Sequence, residues 1–256
     1  MGRPRILVTN DDGINAPGIR ALVDVVKQFG DPIVVAPDSP QSGQGHAITI
    51  TKPLFLKKVD VFDDIEAYEC SGTPADCVKL AKNVILKDSN IDLCVSGINH
   101  GSNASINIIY SGTMSAAMEA SLEGIKSIGF SLLDFSFEAD FTAAKHYASQ
   151  IVESMLSYNA KKNILLNVNI PKLPLNEIKG IKVCAQGEGV WTEDFKESED
   201  PRGQKYYWLT GSFKSELDDT NTDLWALSNG YVSVVPSKHD LTDYDSMEGI
   251  KTFERS

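Results

Sequence analysis

Two adjacent aspartates, Asp11 and Asp12, stand at the end of a short apolar run, Arg5-Ile-Leu-Val-Thr9, preceded by Asn10 and followed by Gly13. Such a run reads as a buried strand. Carboxylates crowded at its tip repel each other and lose solvation, and a cation offsets both costs. Aspartate in a turn also does ordinary capping work, so the pair alone leaves both roles open. Two more apolar runs end in polar, glycine-bearing loops. One runs from Pro37 to His46 and contains Ser42, Gly43 and Gly45; the other runs from Ser96 to Asn103 and contains Asn99. Ser42 and Asn99 offer neutral hard oxygens. With two carboxylates they suit Mg²⁺, Mn²⁺ or Ca²⁺ rather than zinc or copper. Ser111-Gly112-Thr113 opens a helical pattern and combines hydroxyls, a close-approach glycine and free N–H groups at a positive helix end. These are the ingredients of a phosphate cradle, although serine and threonine also cap helices with no ligand present. The loop from Ser39 to His46 is placed to act as a flap, and His46, a lone histidine, reads as structural.

The elements that position these loops follow from apolar spacing. Buried strands are expected at Arg5–Thr9, Pro32–Ala36, Asp92–Ser96, Ile125–Leu133 and Ile164–Ile170. Helices are expected at Pro17–Phe29, Pro74–Leu86 (behind an N-cap at Thr73), Thr113–Leu122 and Asp140–Tyr158. Near-continuous apolar strands alternating with helices predict an α/β fold: a Rossmann-like, doubly wound, mainly parallel sheet in three layers. Ligands gather outside the carboxyl ends of such strands, where all three polar loops fall. Thr49–Leu56 and Ala67–Cys70 read as an inserted β segment. Beyond Gly180 the pattern turns to short strands, Lys205–Gly211 and Tyr231–Pro236, joined by acidic loops from Glu188 to Asp223. The expected organisation is one unit over 1–256, with a core at 1–180 and a β-rich extension or arm at 181–256.

Composition narrows the classes. The chain has 256 residues, 24 Lys plus Arg against 35 Asp plus Glu, and a net charge of −11. A surface this acidic repels phosphate backbones and excludes a nucleic-acid scaffold, while a small anion remains bindable where a metal or N–H groups neutralise it. No apolar run is long enough to span a bilayer, and the segment before Asn10 is too short for a signal-peptide core, so a cytoplasmic protein is expected. The four cysteines form no CxxC pair and read as buried small hydrophobes. Gly43-Gln44-Gly45 is not a dinucleotide fingerprint, and there is no GxxxxGK[ST], HExxH or GxSxG.

Six stretches together resemble the SurE family of metal-dependent nucleoside monophosphate phosphatases. They are ILVTNDDGINAPGIRAL, VVAPDSPQSGQGHAIT, CSGTPADCVKLA, DLCVSGINHGSNASINIIYSGTMSAAMEA, DPRGQKYYWLTG and LSNGYVSVVP, in the family's order. The resemblance implies one divalent metal ion per subunit, Mg²⁺ or Mn²⁺ (Ca²⁺ in crystals), on Asp11, Asp12, Ser42 and Asn99. It places substrate contacts on Asn10, Gly43, Asn103, Ser111, Gly112 and Thr113. It implies 5'-nucleotidase activity by metal-assisted in-line attack of water, with 3'-nucleotides and polyphosphate as further substrates. Asp11 or Asp12 then serves as general base, Asp11 being the first choice. It also implies a homodimer or homotetramer joined through the C-terminal arm. Two departures stand out: Ser105 where the family often has glycine, and Asn107 where it often has aspartate. Two alternatives remain. A nucleophilic aspartate is disfavoured because Asn10 breaks the Asp-x-Asp pattern. A non-catalytic nucleotide-binding regulator would use the same cradle without turnover.

Overall fold

The computed structural model describes residues 2–159, 164–215 and 217–254. The first strand β1 (Arg5–Thr9) leads through a polar turn into helix α1 (Pro17–Val26), which begins on a proline suited to a first helical turn. Strand β2 (Asp31–Pro37) follows, then β3 (Leu56–Val59), β4 (Ala67–Cys70) and helix α2 (Pro74–Leu80), which loosens into a π-helical turn over Ala81–Ile85. Thr73 caps α2 through a reciprocal pair of bonds with Asp76. Next come β5 (Leu93–His100), α3 (Gly112–Leu122), β6 (Ser127–Leu132), α4 (Thr142–Ser157) and β7 (Leu165–Ile170). The chain then gives β8 (Ile181–Val183), β9 (Gly189–Glu199), β10 (Lys205–Ser215), α5 (Asp223–Ser228) and β11 (Val232–Ser237).

Nine strands form one sheet in the order β3-β4-β2-β1-β5-β6-β7-β11-β8. From β4 to β7 every neighbour is parallel, whereas β3 and β11 run antiparallel to β4 and β7. This is the expected α/β fold. The chain winds from β1 outward through β2 to β4 and then crosses back to β5, so the direction of winding switches between β1 and β5. Alternation along β1 divides the core: Ile6 and Val8 join α1 and α4 on one face, and Leu7 joins α2 and α3 on the other. Helix α1 approaches β5 so closely that a Cβ on Gly18 would lie 2.0 Å from the Ile98 carbonyl oxygen. There the register of β5 against β6 slips between Ser96 and Asn99, which turns the end of β5 towards the loop after β1.

Three local expectations need correcting. Thr49–Leu56 is not a strand: pairing starts only at Leu56, because Thr49 N–H is bound to the Asp76 carboxylate and Pro53 has no N–H to give. Gly189–Glu199, read as acidic loop, is a strand paired along its whole length with β10; its apolar positions are too widely spread to signal one. Beyond residue 180 the strands β9 and β10 stand apart in a sheet of their own, whereas β8 and the buried Val232–Val235 run of β11 return to the main sheet. Among the described residues no helix is long and apolar enough to cross a membrane.

Candidate active site

Asp11 and Asp12 sit at the carboxyl end of β1, beside the switch point. Asp11 is buried, and one of its oxygens accepts the Thr113 hydroxyl proton at 2.5 Å. Helix α3 presents Gly112 directly against it: a Cβ there would lie 2.6 Å from the Asp11 Cβ, so only glycine lets the positive end of the helix come this close. The Asp11 carbonyl accepts from Gln41 N at 2.7 Å, tying the start of the second polar loop to the first. Asp12 Oδ2 accepts from the backbone N–H of His100, the last residue of β5, at 3.3 Å. Asn10 donates to the Gly13 carbonyl at 2.9 Å and braces the turn, while its own side-chain oxygen is buried without a partner.

Burial, and secondarily the charge of Asp12, pushes the Asp11 carboxyl up to about 6, against the pull of its bonds from Thr113. Burial also raises Asp12, partly offset by His100. Among the described residues no lysine or arginine offsets either charge. Among the described residues there is no cluster of three or more His, Cys, Asp or Glu, so a nitrogen- or sulfur-rich metal site is not formed. What remains is an oxygen set. Asn99 spends its amide nitrogen on the Gly101 carbonyl at 2.9 Å, which leaves its oxygen as the free end. Two desolvated, mutually repelling carboxylates suit a hard divalent cation in their chemistry.

The remaining expected residues divide. Ser111 caps α3 through its hydroxyl oxygen, bound by Met114 N at 2.9 Å, and keeps its own proton to donate. The Thr113 hydroxyl donates its hydrogen bond to Asp11, so its side chain orients a carboxylate rather than facing solvent. Ser42 and Gly43 are exposed, one and two residues beyond Gln41, and Gly43 has a left-handed φ of 72° with open space around it. Asn103 is buried: its backbone N–H donates to Asn169 Oδ1 and its side chain to Ser131 Oγ, both at 2.8 Å. Asn167 and Asn169, bonded to each other, hold Asn103 from β7 and were missed from sequence; two asparagines at alternate positions of a buried strand were the available signal. His46 is structural, as read: its ring meets Glu119 Oε2 on α3 at 2.8 Å, and Lys79 on α2 binds the other oxygen at 2.5 Å. Beside the site, Ser105 adopts a left-handed φ of 56°, held by its N–H to Asp223 and its hydroxyl to the Gly187 carbonyl. Asn107 accepts from Trp191 at the root of β9.

Comparison with known proteins places this geometry. The family model described as survival protein SurE matches residues 6–193, which carries every loop of the site. The chain belongs to the SurE family. It is 57% identical to the 5'-nucleotidase SurE of Flavobacterium johnsoniae, over 98% of this chain and 97% of that one. It is 56% identical to the 5'-nucleotidase SurE of Cytophaga hutchinsonii, over 94% of this chain and 93% of the other. The crystal structure of the SurE protein from Aquifex aeolicus superposes with a TM-score of 0.85 at 43% identity, covering 98% of this chain and all of that one. The SurE fold is therefore shared.

Proposed function

We propose that this protein is a metal-dependent 5'-nucleotidase, converting nucleoside 5'-monophosphates to nucleoside and phosphate. The observation that carries the reading is the pair of desolvated carboxylates that no lysine or arginine among the described residues offsets, set against the N-terminus of α3. A protein that merely bound phosphate would not place two negative charges beside it, which disfavours a non-catalytic regulator. The names of the close relatives support the substrate class. A Mg²⁺ or Mn²⁺ ion on Asp11, Asp12, Ser42 and Asn99 would supply charge neutralisation and polarisation of a phosphoryl oxygen.

The chain's own residues do the rest. The Gly112 end of α3 and the Ser111 hydroxyl hold the phosphoryl oxygens. Thr113 fixes the rotamer of Asp11, the assigned general base for the attacking water, and Gly112 lets the positive end of α3 come close to that carboxylate. Asn10 braces the turn, and Asn103 holds the neighbouring loop on the β7 asparagines. Gly43 lets the flap loop adopt its left-handed bend over the site. We extend the proposal to 3'-nucleotides and polyphosphate as secondary substrates, and to a homodimer or homotetramer formed through the β9–β10 arm. Phosphate release from 5'- and 3'-monophosphates and polyphosphate, each with Mg²⁺, Mn²⁺ or EDTA, tests it. Metal-dependent release led by the 5'-monophosphates is expected; nucleotide binding without release under any metal would overturn it.

A further inference from the structure

The loop after β6 carries two phenylalanines that the fold leaves in solvent: Phe135 is 82% exposed and Phe137 77%. Burying such rings would favour folding, so their display works against stability. The loop is nevertheless tightly held. Asp134 accepts from Ser136 N at 3.0 Å and pairs with Lys172 at 3.0 Å, and the Ser136 carbonyl meets His100 Nδ1 at 2.9 Å. Phe137 stacks on the His100 ring, 6.2 Å between centroids and 8° between planes, and Phe141 closes that ring edge-on. Phe135 lies against Gly101, where a Cβ would come within 2.4 Å of its ring. The two rings therefore rest on the two residues that follow Asn99, and His100 is the residue whose N–H binds Asp12.

We propose that Phe135 and Phe137 form the platform on which the substrate's base stacks, which makes them specificity-determining residues. This rests on the nucleotide reading above. With the phosphate at Asp11, Asp12 and α3, a ribose must carry the base away from the carboxylates along the same sheet edge. Gly101 is one residue, about 3.3 Å, beyond His100. A flat heteroaromatic ring gains most from an aromatic face, and a face without hydrogen-bonding groups accepts any base. The platform thus favours nucleotides over phosphate esters without a base, and purines over pyrimidines for their larger overlap.

The test compares adenosine 5'-monophosphate with ribose 5-phosphate in the wild type, Phe135→Ala, Phe137→Ala, the double variant and Phe135→Trp, and titrates adenosine 5'-monophosphate calorimetrically. Both rings are exposed, so the variants keep their fold. The double variant is expected to raise the KM for the nucleotide roughly tenfold. Its kcat and its handling of ribose 5-phosphate stay unchanged, Phe135→Trp behaves as wild type, and nucleotide affinity falls by the same factor. If the wild type hydrolyses neither ester while the double variant still weakens nucleotide binding, the nucleotidase reading fails and the platform stands. Unchanged nucleotide KM and affinity, or equal losses on both substrates, overturn the platform.

Discussion

The short contact between Thr113 and Asp11 governs how the site meets pH. The threonine proton favours the ionised carboxylate, so Thr113→Val lets burial raise Asp11 further. Thr113→Val should therefore weaken Mn²⁺ binding more at pH 6 than at pH 8, read by metal titration at the two pH values; an unchanged pH dependence of binding would break the link. The same burial bears on stability. The native Asp11 carboxyl titrates at about 6 against 3.8 in the unfolded chain, so the native state holds its proton more tightly. The metal-free protein therefore loses stability as pH rises from about 4 to about 6, by about 3 kcal/mol, and does not recover it above that. Asp11→Asn removes this component, so its metal-free Tm at pH 7 should exceed that of the wild type, and Mn²⁺ should raise the wild-type Tm but not the variant's. Differential scanning calorimetry with EDTA and with Mn²⁺ reads both. The placement of Asp11 and Asp12 at a strand end was legible in the sequence because an acidic pair directly behind a short apolar run must sit at that strand's tip. That Thr113 serves Asp11, and that Asn167 and Asn169 hold Asn103, was not, because those contacts join residues far apart in the chain.

At the scale of elements, the site exists because α1 and α3 press against strand ends at positions only glycine permits. Gly18→Ala would drive a methyl group into the Ile98 carbonyl at 2.0 Å. Backbone cannot yield as a side-chain tip can, so the variant should lose more than about 3 kcal/mol in urea unfolding; a loss below about 1 kcal/mol would mean that α1 slides freely. Strands β1, β2, β5, β6 and β7 were legible from continuous apolar runs, and α1 and α2 from spacing and a proline start. Helix α3 shows little apolar stripe because it is buried almost all round; its small residues, Ala116, Ala117 and Ala120, gave it away. Strand β9 was illegible. With both faces exposed on a two-stranded ribbon, nothing imposes alternation on its side chains.

For the whole molecule, the same ribbon gathers exposed apolar side chains: Trp191, Phe195, Tyr206, Tyr207, Trp208 and Leu209 all lie in solvent in the single chain. Isolated two-stranded hairpins are marginal in water, and such surface calls for a partner. Size-exclusion chromatography with light scattering should find two or four copies of the 27.9 kDa chain, and one copy once β9 and β10 are replaced by a short glycine linker. A wild-type monomer would contradict the proposed arm. The net charge of −11 fits the proposed reading, in which an anionic substrate would be drawn to local N–H groups and a metal rather than to a basic surface. The central claim is that two carboxylates at the end of β1 carry metal-dependent phosphoester hydrolysis. The most direct measurement is the rate of phosphate release from a nucleoside 5'-monophosphate at saturating Mn²⁺, wild type against Asp12→Asn. A fall of at least ~10³-fold with nucleotide binding retained is predicted; near-normal turnover in the variant would contradict the account.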